Sequence, residues 1–318
     1  MKRRNFIKKG LVAASAICFP HVWVKSVRGE KRLDRVTILQ TNDTHSRIDP
    51  MPLDGGKYQG LGGISRRTTL VKRIREQNPN VLLLDGGDVF QGTPYFNLYR
   101  GRVEYEAMTL CGYDAGTLGN HEFDNGVESL VQALSYAKFD ILNCNYDFGK
   151  TNLRPLIKTF TTKQIGTIKV GITGVGIDFT DLVANHNHQG IAYHHPYKAL
   201  QSVVSYLRQD QGCSLIIVLS HLGYRYEEKR PSDMEMAYEV NGIDWIVGAH
   251  THTFMKEPLR ITSKGGHQTY ILQVGWGGIM LGKSDLIFED QHLVAVKTEC
   301  IPVDFMAENT YQPESIFG

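Results

Sequence analysis

Five short motifs, each closing an apolar run, constrain what this chain can fold into. They are Asp43-Thr44-His45, Gly87-Asp88, Gly119-Asn120-His121-Glu122, His221 after Leu219-Ser220, and Gly248-Ala249-His250-Thr251-His252. The runs before them cover residues 36–39, 81–84, 115–118, 215–219 and 243–247. Short continuous apolar runs read as strands buried on both faces. The motifs then fall on loops at the carboxyl ends of strands, where open α/β sheets carry their sites. One Asp-x-His alone reads as a turn. A repeated pairing of strand ends with carboxylate, amide and imidazole donors reads as a metal centre.

Two divalent ions need a shared anionic ligand and roughly three further ligands each. Asp88 is the natural bridge, because a carboxylate offers two oxygens. Asp43 and His45 alternate along one loop and can converge on one ion, and His250 and His252 repeat that spacing. Asn120 adds an amide oxygen and His221 an imidazole. Nitrogen and oxygen donors without thiolate favour Zn, Mn, Fe or Co over a structural cysteine site. Two such ions outweigh the two carboxylates and a bridging hydroxide. The pocket is then positive and suited to a phosphate dianion. Bound metals lower the pKa of water towards ~7, which supplies a nucleophile near neutral pH. His121 sits at the edge of this set, and Asp124 three residues on can orient its imidazole. A positioned acid of that kind is worth ~10²–10⁴-fold in rate, and the helix start nearby adds positive potential. Glu122 is read as structural, Asp85 as bonded to backbone, and Gly275-Trp276-Gly277-Gly278 as a tight turn. His186, His188, His194 and His195 lack flanking strands and carboxylates and read as a solvated loop.

Along the chain, strands are expected at 36–41, 81–84, 114–118, 141–144, 168–175, 215–219 and 243–247. Helices are expected at 64–76, 103–110, 127–137, 197–209 and 234–240. Asp124-Asn125-Gly126 supplies the cap of the third. From 259 to 296 the texture turns to alternating β, which predicts an antiparallel sheet closing the fold. The arrangement is a four-layer αββα sandwich, two mixed sheets flanked by helices.

The chain has 318 residues and a formal net charge of +2. Seven of its basic residues and one acid lie in 1–30, leaving 28 basic against 32 acidic residues. That body has no electrostatic footprint for nucleic acid. Arg3-Arg4-Asn5-Phe6-Ile7-Lys8 before the apolar stretch 10–20 resembles a twin-arginine export signal, too short for a stable membrane span. A periplasmic product follows. An ordinary basic signal is the competing reading, and Ser15-Ala16-Ile17 before Cys18 is a poor lipoprotein signal. The five cysteines have no C-x-x-C spacing and read as buried free thiols. The expected organisation is a leader at 1–30, one domain at 31–305 and a tail at 306–318.

Three longer stretches carry a resemblance. They are Thr41-Asn42-Asp43-Thr44-His45, Asp85-Gly86-Gly87-Asp88-Val89-Phe90-Gln91-Gly92-Thr93-Pro94, and Leu118-Gly119-Asn120-His121-Glu122-Phe123-Asp124. They resemble the exported 5′-nucleotidase family of calcineurin-like metallophosphatases, over roughly 35–302. The resemblance implies that Asp43, His45, Asp88 and His252 hold one metal. It implies that Asp88, Asn120, His221 and His250 hold the other, with His121 and Asp124 as the catalytic dyad. Ala249 departs from the usual glycine without touching a donor. The implied activity is phosphate release from nucleotides. The alternatives are a cyclic-nucleotide or UDP-sugar phosphodiesterase, an exported thiosulfohydrolase, and a binding or catalytic subunit that needs a partner. Family members usually carry a second domain with phosphate-binding arginines and an aromatic clamp for the base. The sequence stops short of one, so a separately encoded domain of that type is an expected partner.

Overall fold

A computed structural model describes residues 33–305. The expected leader, Cys18 and the expected tail lie outside the described residues. The first half supplies β1 (Leu33–Thr41), β2 (Val81–Asp85), β3 (Ala115–Gly116), β4 (Asp140–Leu142), β5 (Tyr146–Asp147) and β6 (Ile157–Lys158). Then come β7 (Phe160–Ile165), β8 (Ile168–Val175), β9 (Ala192–Tyr193), β10 (Leu215–Ser220) and β11 (Trp245–Gly248). The last strands are β12 (Leu259–Thr262), β13 (Gln268–Leu272), β14 (Met280–Glu289) and β15 (His292–Pro302). Helices are α1 (Ile64–Gln77), α2 (Pro94–Tyr99), α3 (Arg102–Cys111), α4 (Gly126–Leu134), α5 (Pro196–Gln209) and α6 (Asp233–Glu239).

One sheet has seven strands in the order β15-β14-β1-β2-β3-β4-β6, and the other has six in the order β12-β13-β11-β10-β8-β7. Strand residues alternate between faces, and this alternation builds the layers. Ile38, Leu82, Leu84, Ile217, Leu219 and Val247 point between the sheets into one buried cluster. Leu39 and Leu83 point outward onto α1 and α3, through Leu70, Ile74, Tyr105 and Met108. Ile216, Val218 and Ile246 do the same for α5 and α6, through Leu200, Val204 and Met236. The four layers match the αββα expectation.

Several local expectations change. The strand expected at 114–118 shortens to Ala115–Gly116, because the chain after it turns into the Asn120 loop. The expected antiparallel sheet is divided between the two sheets. β13 pairs in parallel with β11, while β14 pairs antiparallel with β1. Periodicity reports which face is buried and not which strand lies alongside. The start of α4 has Asn125 at its cap position without a side-chain cap bond, and the Asp124 carboxylate is engaged by His121. α2 was not expected; six residues show no period, although Pro94 at its start and Thr93 accepting from the Tyr95 amide are start signals. Among the described residues the free thiols are Cys111, Cys144, Cys213 and Cys300. Cys111 and Cys213 are buried, whereas Cys144 and Cys300 are partly exposed.

The sheets are joined by a buried polar bridge as well as by oil. Trp245 on β11 donates its indole N–H to Gln40 Oε1 on β1 at 3.0 Å. Gln40 Nε2 donates to the Leu272 carbonyl on β13 at 2.8 Å. Trp245→Ala should cost about 3–5 kcal/mol of stability, read as a lower urea midpoint. Trp245→Phe should cost clearly less, because it keeps most of the volume and loses the bond.

Candidate metal centre

The carboxyl ends of β1, β2 and β3 meet those of β10 and β11. Asp43 and His45 follow β1, Asp88 follows β2, and Asn120, His121 and Asp124 follow β3. His221 follows β10, and His250 and His252 follow β11. The structure brings Asp43, His45 and His252 into one group, and Asp88, His221 and His250 into another, each with its ligand atoms within 4.8 Å. His45, Asp88 and His121 form an overlapping third.

The donors face one another across short gaps. His221 Nδ1 lies 2.9 Å from the Gly86 carbonyl, which only accepts. The ring therefore donates there and turns Nε2 towards Asp88 Oδ2, 3.1 Å away. That contact is close but is not aligned as a hydrogen bond, and Nε2 is buried without a hydrogen-bond partner. Asn120 Oδ1 and His250 Nδ1 are also buried and unpartnered. On the other side, His45 Nδ1 faces the Phe90 carbonyl at 3.3 Å. Its Nε2 then faces His252 Nε2 at 3.0 Å, and Asp43 Oδ1 is 3.4 Å from the same His252 nitrogen. Lone pairs this close are repulsive unless a cation or proton lies among them. The donor set fits divalent cations.

The protonation states agree. Burial lowers His250 to about 4, keeping its ring neutral and able to ligate. Burial also opposes charge on His221 and on Asp88, yet their mutual attraction prevails. It raises His221 to about 10 and holds Asp88 below the usual carboxylate range. A metal displaces a proton held in this way. Burial disfavours a charged His121, but its bond to Asp124 raises its pKa above the ordinary imidazole value. The His121 Nδ1 to Asp124 Oδ2 distance is 2.8 Å.

Residues without an assigned ligand role hold the set in place. Glu122 turns away from the donors and accepts the N–H groups of Gly119 at 2.6 Å, Val89 at 2.7 Å and Asp88 at 3.1 Å. Asp85 accepts from the Gly87 amide at 2.9 Å. Both agree with their structural readings. Asn42 and Gln273 escaped the sequence analysis. Asn42 donates to Asp43 Oδ2 at 2.6 Å and accepts from the Val274 amide at 2.9 Å. Gln273 donates to the Ala249 carbonyl at 2.7 Å and accepts from the Thr253 amide at 3.1 Å, pinning the loop of His250 and His252. Asn42 adjoins a motif and was findable. Gln273 lies in an ordinary strand exit and carried no signal. Of the outlying histidines, His188 stacks on Phe179 at 4.5 Å and His195 meets Tyr197 edge-on at 4.7 Å.

The backbone is strained where the donors sit. Asp43, His45, Asp88, His250 and His252 have φ of 49°, 48°, 55°, 72° and 49°. Left-handed conformations cost a non-glycine residue about 1–3 kcal/mol each and persist where surrounding structure enforces them. Gly119 is required by closeness. A Cβ there would lie 2.2 Å from Asp88 Oδ1 and 2.6 Å from His221 Cε1. The donors line a cavity of about 490 Å³ whose rim includes Arg47, Gln91, Leu182 and Trp276. The Trp276 ring lies 6.1 Å from that of His252, at 18°. It therefore belongs to the rim as well as to the expected turn.

Comparison with known proteins agrees with this geometry. The calcineurin-like phosphoesterase family model matches residues 36–254. The chain belongs to the calcineurin-like phosphoesterase family. Membership implies dependence on divalent metal. Snake venom 5′-nucleotidase of Gloydius brevicauda is 34% identical over 282 residues, 80% of this chain and 46% of its own length. Human 5′-nucleotidase is 34% identical over 277 residues, 80% of this chain and 47% of its own. The crystal structure of the 5′-nucleotidase precursor of Thermus thermophilus superposes with a TM-score of 0.77 at 32% identity. The match covers 86% of this chain and 57% of that one. The chain thus spans about half the length of the curated relatives it matches. Within this phosphoesterase frame, Gly119→Ala should fold yet bind metal poorly. Elemental analysis should show a clear drop in metal per chain at nearly unchanged circular dichroism. Full metal content would contradict the close-approach argument.

Proposed function

We propose that this chain hydrolyses phosphomonoesters, nucleoside 5′-monophosphates foremost, at a centre for two divalent cations. The observation that carries the reading is the pair of donor groups sharing one crevice. Asp43, His45 and His252 lie on one side, and His221, His250 and the buried unpartnered Asn120 Oδ1 on the other. Asp88 groups with His221 and His250 and also with His45 of the first side, and would bridge them. Zn, Mn, Fe and Co all suit these donors. Such ions supply positive field for the phosphoryl group and an acidified water as nucleophile. The nucleotide preference is supported by relatives that are 5′-nucleotidases.

The protein's own part in the reaction centres on His121. Its main-chain N–H donates to Asp88 Oδ1 at 2.9 Å, which fixes the residue beside the proposed bridge. Asp124 holds Nδ1, so Nε2 is the nitrogen left for substrate. From the cavity wall it can donate to a phosphoryl or leaving-group oxygen. Residues 1–30 are proposed as a twin-arginine leader taking the folded domain at 31–305 to the periplasm. Fractionation of cells carrying Arg3→Lys with Arg4→Lys tests it, because retention in the cytoplasm is expected. Among the described residues no helix is long and apolar enough to cross a membrane.

Two substitutions separate ligand from catalyst. Asp88→Asn should reduce bound metal and abolish phosphate release. His121→Ala should keep the wild-type metal content and lose ~10²–10⁴ of kcat, with Asp124→Asn weaker in the same direction. Metal analysis beside steady-state rates on AMP, UDP-glucose, a cyclic nucleotide and thiosulfate esters checks both. An Asp88→Asn protein that retains two metals and near-normal turnover overturns the bridge.

A further inference from the structure

A second cavity adjoins the metal cavity, and Leu182 lines both. It measures about 350 Å³, and its wall includes Ile177, Leu182, Tyr193, Leu222 and Arg230. Ile177 and Leu222 are buried, whereas Leu182 is 39% exposed, so its side chain stands between two open spaces. The volume falls in the range of small-molecule sites, which are mostly apolar with a few placed polar groups. Here the polar groups are Asp178, Thr180, Asp181, His195 and Arg230.

The cavity lies on the side of the proposed acid. The turn carrying His121 packs against the segment that walls this cavity. Phe123 meets Phe179 edge-on at 4.9 Å, and Asn187 Nδ2 donates to the Asp124 carbonyl at 2.8 Å. A general acid must face the leaving-group oxygen. With His121 serving the leaving-group oxygen, the leaving group of a phosphomonoester would depart towards His121 and Leu182, into the adjoining space. Tyr193 offers an aromatic face on which a flat heterocycle can stack. Arg230 reaches the same wall, its guanidinium 3.6 Å from the centre of the Tyr226 ring.

We propose that this cavity is a leaving-group subsite that takes the base of a nucleotide, with Leu182 as its threshold and Tyr193 as its stacking face. The proposal rests on the phosphomonoesterase reading for the direction of departure. It places base recognition within this chain, whereas the resemblance places it in a second domain.

Two measurements on the full, metal-containing chain test it. The first is binding of adenosine, which has a base and no phosphate, followed by saturation-transfer NMR and calorimetry. Wild type should bind adenosine, and Leu182→Trp, which fills the threshold, should weaken binding at least tenfold. The second is the ratio of kcat/KM for AMP to that for ribose 5-phosphate. Tyr193→Ala and Leu182→Trp should each lower this ratio about tenfold. Adenosine that does not bind wild type, or a ratio unchanged in both variants, overturns the subsite and returns base recognition to another domain. Adenosine that binds as expected while neither ester is hydrolysed leaves the subsite standing and removes the phosphomonoesterase reading.

Discussion

The rest of the structure depends on one electrostatic constraint: electron-rich atoms from two different sheets must be held against one another. His45 Nε2 and His252 Nε2 are 3.0 Å apart, and His221 Nε2 is 3.1 Å from Asp88 Oδ2. Each contact needs a proton or a cation between its atoms: attraction to Asp88 keeps a proton on His221, raising it to about 10, and a metal would take that proton's place. The fold therefore keeps its nitrogen and carboxylate donors converged on positions that a cation can fill. The strained φ angles of Asp43, Asp88, His250 and His252 are the backbone side of the same constraint. Polar scaffolding keeps these residues there. Asn42 ties Asp43 to the exit of β13, Gln273 ties the His250 loop, and Glu122 gathers three amides around Asp88.

The sandwich suits this task because each sheet contributes strand ends to one edge. Neither sheet alone supplies a full set, since Asp43, His45 and Asp88 come from one and His221, His250 and His252 from the other. The inner core between the sheets is then part of the site's machinery. It sets the distance between the two donor groups, and Gln40 and Trp245 fix it with a directional bond as well as packing. Core residues and the candidate donors cannot be treated as independent sites in such an arrangement.

This division explains what could be read from the sequence. The strand at 168–175 matches β8 residue for residue, because Ile168, Val170 and Ile172 alternate along it between Gly166 and Gly176. The donors were legible because their chemistry is local: a carboxylate or imidazole just past a buried strand has few structural uses. Sheet membership of β12 to β15 was not legible, because pairing depends on partners more than a hundred residues away in the case of β1 and β14. The roles of Gln273 and of the left-handed backbone were equally hidden. They are properties of the assembled crevice, and no single window of sequence contains them. Trp276 shows the intermediate case. Its glycine neighbours announced a turn correctly, but only the fold shows that the turn ends beside His252.

The position of His121 links chemistry to the direction of specificity. Its main chain is bonded to Asp88, its ring to Asp124, and its turn to the segment that walls the adjoining cavity. The residue proposed to donate to the departing oxygen is thus joined to the wall of the proposed leaving-group subsite. Base recognition placed there acts on the same group whose orientation governs proton transfer. Contacts to a remote part of the substrate can then be expressed at the reacting centre. A base clamp on a separate domain has to transmit that orientation through a domain interface, which is a mobile joint by default. A threshold at Leu182 needs no such transmission, because it stands on a wall already packed against the acid.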